Sequence, residues 1–83
     1  MTPLQHPPGL SLRPVNDAVC AVFDAQGLLV GNLKHIGAAW KFKAVGHTAS
    51  GELEPGGGPL THRHNTVFER LDAAEVSARL LAD

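Results

Sequence analysis

The fold is decided by residues 18–30, which read Ala-Val-Cys-Ala-Val-Phe-Asp-Ala-Gln-Gly-Leu-Leu-Val. The first six of these residues are apolar, rich in β-branched and aromatic side chains, and too few for a helix. Asp24 followed by Gly27 is typical of a tight turn that needs one positive φ, and a bulge is expected at Gly27. The stretch therefore predicts a β-hairpin whose second strand runs from Leu28 to about Lys34.

A second stretch extends this hairpin into a meander. After a turn at residues 35–37, residues 38–45 read Ala-Ala-Trp-Lys-Phe-Lys-Ala-Val. Trp40 and Phe42 alternate with Lys41 and Lys43, and period two with one polar side predicts an antiparallel strand that buries one face. Residues 52–54 are candidates for a further, very short strand.

The last segment predicts a helix that covers the sheet. Asp72 and Glu75 have the spacing of a helix N-cap, and residues 73–82 are mostly good helix formers. Residues 66–70 are favoured as a short strand, although the apolar spacing from Val67 onward also fits one long helix that begins there. The predicted core is apolar and mostly aromatic, and comprises Phe23, Val30, Trp40, Phe42, Phe68, Val76 and Leu80.

The N-terminal residues predict an arm rather than a packed element. Residues 1–17 hold four of the six prolines, which disfavour both helix and central strand. We expect a flexible or extended arm over 1–17, with Leu10, Leu12 and Val15 available to contact the core. The sequence as a whole predicts an α+β fold: one small domain over 18–83, with an antiparallel meander of three or four strands and one C-terminal helix packed on one face.

Composition narrows the classes of function. The 83 residues carry seven Lys and Arg against eight Asp and Glu, a net charge of −1, which excludes a strongly basic nucleic-acid binder. The single cysteine, Cys20, excludes an internal disulfide and lies in an apolar strand, where we expect it to be buried and unreactive. Because neither a signal peptide nor a membrane span is recognisable, a cytoplasmic protein without membrane contact is expected.

A basic sheet surface is the first candidate site. Residues 26–50 contain no Asp or Glu, and the alternation places Lys41 and Lys43 on one face with Lys34 and His35 at the neighbouring hairpin end. Such lysines can bind phosphates, as in nucleic acid, or can simply solvate an open sheet face. Trp40 is expected to be a core anchor, and base stacking is its alternative role.

The loop over residues 55–65 is the second candidate. It reads Pro-Gly-Gly-Gly-Pro-Leu-Thr-His-Arg-His-Asn. Its glycines let backbone N–H groups approach an anion, and His62, Arg63 and His64 could complete an anion-binding pocket. The spacing matches no known phosphate-binding loop, so the alternative is a flexible connector. A metal held by these histidines, with His47, is a weaker alternative, and no metal or other cofactor is predicted.

The sequence therefore predicts a small non-enzymatic binding module, because no catalytic motif is recognisable. Its ligand would be nucleic acid or another anion, contacted by Lys34, Lys41 and Lys43 with help from the loop histidines and Arg63. The alternative is a protein–protein interaction module or a small homodimer without nucleic acid. A small His-dependent metal site or enzyme is the weakest of the three.

Overall fold

The computed structural model describes residues 9–82, which form one antiparallel sheet of six strands and one α-helix. This confirms the α+β class. The strands are β1 (Ser11–Asn16), β2 (Val19–Phe23), β3 (Leu29–Ile36), β4 (Ala39–His47), β5 (Leu53–Pro55) and β6 (Val67–Phe68). A 3₁₀ turn, Thr61–Arg63, lies between β5 and β6, and the helix α1 (Ala73–Leu80) follows β6.

Strand β4 organises the sheet. The strand order is β1-β2-β3-β4-β5, and β6 also pairs with β4. The outer edge of β4 is therefore shared: β6 pairs with Trp40 and Lys41, whereas β5 pairs with residues 45–47. The loop between β5 and β6 lies along this edge, and its backbone and side-chain groups form hydrogen bonds with the part of β4 that neither strand pairs.

The meander is larger than predicted. Three or four strands were expected and six are present. Part of the predicted flexible arm is the edge strand β1, which pairs with β2 and directs Leu12 toward the core. Pro14 is accommodated because an edge strand leaves one row of N–H groups unpaired. Residues 1–8, which belong to the same predicted arm, lie outside the described residues.

The predicted hairpin joins β2 to β3. Gly27 has a φ of 86°, and the Asp24 carboxylate accepts hydrogen bonds from the N–H groups of Gln26 and Leu28 at 2.9 Å each. The bulge expected at Gly27 lies instead within the strand pair, where the register shifts between Val22 and Phe23.

The C-terminal segment forms the short strand and separate helix that the sequence favoured. A two-residue strand precedes a separate helix, so the alternative of one long helix from Val67 is wrong. The Asp72 carboxylate accepts a hydrogen bond of 3.0 Å from the Glu75 N–H and caps α1 as expected. No helix in residues 9–82 is long and apolar enough to cross a membrane.

The core lies between the sheet and α1. Of the predicted core residues, Val30, Phe42, Phe68, Val76 and Leu80 are fully buried, and Trp40 is half-buried against them. The prediction that Phe23 belongs to the core is wrong, because its strand directs it to the opposite face of the sheet. Gly31 is required on the core face, since a Cβ there would lie 2.4 Å from the ring of Phe42.

Candidate functional site

The face of the sheet that α1 does not cover is the candidate site, and we call it the open face. Lys34 and Lys41 are directly opposite each other in the β3–β4 register, and Asn32 is opposite Lys43. Directly opposed side chains have Cβ atoms only about 5 Å apart. The strands direct to the open face Ser11, Arg13, Asn16, Val19, Ala21, Phe23, Asn32, Lys34, Ile36, Ala39, Lys41, Lys43, Val45 and Val67.

The open face is basic, although the chain as a whole is slightly acidic. It carries Arg13, Lys34, Lys41 and Lys43, which are four of the seven basic residues, and none of the residues that the strands direct to it is acidic. Within residues 9–82 the ion pairs are those of Glu75 with Arg70 and Arg79, outside this face. The Lys34–Lys41 pair therefore has no carboxylate partner to offset its repulsion.

Arg13 and Phe23 extend this face toward β1. The Arg13 guanidinium carbon lies 5.3 Å from the centroid of the Phe23 ring, within the range of a cation–π contact. Phe23 is half-buried, and Arg13 is exposed. Neither was among the predicted binding residues, because the uniformly apolar strand β2 gives no period-two signal that would place Phe23 on the open face.

His35, a predicted member of the basic surface, faces the other way. Its ring stacks on Trp40, with centroids 4.7 Å apart and planes 20° from parallel. Trp40 packs against the core, so His35 covers the end of the core instead of joining the lysines. This position fits the role of core anchor for Trp40 and removes its indole from the open face.

Lys43 connects the open face to the loop between β5 and β6. Its Nζ donates a hydrogen bond of 2.6 Å to Oδ1 of Asn65, a residue with a φ of 75°. Asparagine is one of the few residues other than glycine that tolerates this backbone conformation. The lysine is thereby held at the edge of the face, whereas Lys34 remains exposed.

The side chain of His64 forms a hydrogen bond with the backbone of β4. Its Nδ1 accepts a hydrogen bond of 3.0 Å from the N–H of Ala44, at the position where β6 has ended and β5 has not begun. The Ala44 carbonyl accepts from the N–H of Gly56. An accepting Nδ1 places the proton of the neutral ring on Nε2. The histidine therefore satisfies a backbone donor on β4.

Arg63 is also used within the fold. Its Nη2 donates to the carbonyl oxygen of Ala82, just beyond the end of α1, and its side chain is half-buried. Of the predicted loop residues, His62 remains exposed and makes no hydrogen bond within residues 9–82. The structure does not bring His62, Arg63 and His64 together on one binding surface.

The glycines of this loop allow close backbone packing. A Cβ on Gly58 would lie 2.3 Å from the Val45 carbonyl oxygen, and one on Gly46 would lie 2.5 Å from the Gly58 nitrogen. The loop is therefore packed tightly on β4, so the alternative of a flexible connector does not describe it. No three His, Cys, Asp or Glu side chains of residues 9–82 are grouped as metal ligands.

Two further features offer less chemistry. Cys20 is buried, as expected, and burial raises the pKa of its thiol, so the reactive thiolate is disfavoured. A shallow cavity of about 560 Å³ lies between β1, the β2–β3 turn and the start of α1, and its lining includes Leu10, Leu12 and Ala73. Its one charged lining residue, Asp24, is held by the hairpin turn.

Comparison with known proteins adds no family. The chain matches no family model, and no curated protein or solved structure matches it.

Proposed function

We propose that the protein is a non-enzymatic binding module whose open face binds nucleic acid through Arg13, Lys34, Lys41 and Lys43. The observation that carries this proposal is the direct opposition of Lys34 and Lys41 on the open face, to which the described strands direct no acidic side chain and where no ion pair of residues 9–82 is found. Opposed like charges destabilise a strand pair. Phosphates of a bound polyanion would neutralise them and release counterions.

Salt dependence and charge reversal test the proposal. Labelled protein is titrated with a short single strand and with a duplex of the same sequence, and binding is followed by nitrogen–proton NMR at several salt concentrations. Four phosphate contacts predict a slope of log K against log salt of about −3 for a single strand. Changes in the amide chemical shifts should be concentrated on β3 and β4 and should disappear at high salt.

Lys41→Glu is the test variant, and Arg70→Glu is its matched control. Both reverse one charge, but Arg70 is 76% exposed and lies outside the open face. We expect Lys41→Glu to weaken binding and to make the salt slope shallower by about 1, while Arg70→Glu changes neither beyond a small general effect. Equal losses in both variants, or no binding by the unmodified protein, would overturn the proposal.

A protein partner or a second copy is the other candidate. Ile36 and Val67 lie on the same face beside the lysines and are 52% and 46% exposed. These apolar side chains are what an interface core would use. A molecular mass that rises with concentration, together with indifference of binding to Lys41→Glu, would favour this function over the first.

A further inference from the structure

Phe23 gives the open face a property that the lysines do not, namely an aromatic surface beside a row of cations. Phe23 is half-buried on this face and lies outside the core cluster, and the Arg13 guanidinium lies over its ring. A planar guanidinium over a ring occupies the same kind of site that a nucleobase takes when it stacks on a protein aromatic. Phe23 is therefore positioned to contact a base.

The row next to Phe23 is suited to an extended backbone. The registers align Arg13, Ala21, Asn32 and Lys43 across four neighbouring strands. Three strand spacings of about 4.8 Å separate the backbone positions of Arg13 and Lys43 by about 14 Å. The side chains between them, those of Ala21 and Asn32, are short. A chain of phosphates can thus run across the strands from Arg13 to Lys43, with Phe23 on one side and the Lys34–Lys41 pair on the other.

A duplex fits this surface less well. Reading a groove requires an element that enters it, usually a helix or a two-stranded ribbon. The helix of the described residues, α1, has eight residues and lies on the opposite face, where Val76 and Leu80 are buried in the core. The strands present the open face as a surface of side chains, and a base can stack on Phe23 only if it is not held in a base pair.

We infer that the ligand of the open face is single-stranded nucleic acid, with one base stacked on Phe23 in place of the Arg13 guanidinium. This inference rests on the proposed function and names its substrate class. It assigns two different roles to the face: the lysines bind the backbone of any anionic strand, and Phe23 recognises the presence of unpaired bases.

The test compares three ligands of one length: an oligothymidine strand, an abasic strand with the same backbone, and a duplex. Anisotropy titrations at low salt are made with the unmodified protein, Phe23→Leu and Phe23→Tyr. Phe23→Leu should weaken binding of oligothymidine about 5- to 150-fold, the range for one stacked base, and leave the abasic strand unchanged. Phe23→Tyr keeps an aromatic ring and should retain tight binding of oligothymidine.

The outcomes separate this inference from the proposed function. If Phe23→Leu binds all three ligands as tightly as the unmodified protein while Lys41→Glu abolishes binding, the stacking inference is overturned. The proposed function then stands. Equal loss of oligothymidine and the abasic strand in Phe23→Leu also overturns it, as does a duplex that binds as tightly as the single strand. Far-ultraviolet circular dichroism and urea unfolding check that each variant is folded.

Discussion

The imidazole of His64 occupies a place that a backbone carbonyl would otherwise take. Strand β4 is paired by β6 near its start and by β5 near its end, which leaves the Ala44 N–H between them. His64 Nδ1 accepts from that N–H at 3.0 Å, in a half-buried position. A buried donor without an acceptor is costly, so a single side chain stabilises the junction of two short strands.

His64→Ala tests this role at the residue scale. The variant leaves the Ala44 N–H without its acceptor, and we expect the free energy of unfolding to fall by about 1–3 kcal/mol. His62→Ala is the control: this histidine is exposed, and the change should stay within about 0.5 kcal/mol. Urea denaturation measures both. An equal effect of the two variants would show that the contact at Ala44 contributes nothing.

At this scale the sequence predicted side-chain direction where the pattern alternates. Lys41 and Lys43 were correctly separated from Phe42, because polar and apolar residues alternate in β4. Phe23 was assigned to the core, because residues 18–23 are all apolar and carry no such signal. The role of His64 depends on a contact with Ala44, 20 residues away, which no local pattern records.

Strands β3 and β4 place two like charges opposite each other, at a cost in stability. Lys34 and Lys41 are cross-strand neighbours, and repulsion between them weakens the same strand pair that forms the centre of the sheet. The effect is electrostatic and should be reduced by added salt. Stability and binding are therefore expected to respond in opposite directions to a change at Lys34.

Lys34→Glu makes that opposition measurable. Replacing a like-charge pair with an ion pair should raise the free energy of unfolding by about 0.2–1 kcal/mol at low salt. The same variant should bind a single strand more weakly. Lys34→Gln, which removes the repulsion without adding attraction, should give an intermediate stability. Urea denaturation at low and high salt provides the measurement, and a loss of stability in Lys34→Glu would contradict this account.

The strands that sequence patterns predicted least well are those held by long-range contacts. β2 and β3 flank a recognisable turn and β4 alternates, so all three strands were predicted, although β3 continues through His35 and Ile36, which were assigned to a turn. β1 contains Pro14 and lacks alternation, so it forms only because β2 offers it an edge. β6 has two residues and depends on pairing with Trp40 and Lys41.

Within residues 9–82, a single α-helix covers one side of the sheet. Val76 and Leu80 of α1 are fully buried against Phe42 and Phe68 in a single cluster. A chain of this length has a thin margin of stability, since small domains bury a modest fraction of their surface. Loss of packing from α1 therefore affects the entire core.

Two adjacent leucines provide a matched test of that dependence. Leu80 is fully buried, whereas Leu81 is 46% exposed. We expect Leu80→Ala to lower the free energy of unfolding by about 2–5 kcal/mol, because it opens a cavity in the core. Leu81→Ala should change it by about 0.5 kcal/mol or less. Thermal and urea unfolding measure both, and similar losses would mean that α1 packs less closely than described.

The hydroxyl of Ser77 has a consequence for the way the chain is connected. It accepts a hydrogen bond from the Leu10 N–H at 2.9 Å and donates to the Leu10 carbonyl at 3.2 Å, which joins residues 67 positions apart. The first and last elements of the fold are thus side by side. Domains with neighbouring ends tolerate circular permutation and insertion into a surface loop of a host protein. A permuted chain opened at the exposed turn around Gly51, with residues 9 and 82 joined by a linker, should retain the sheet and the open face.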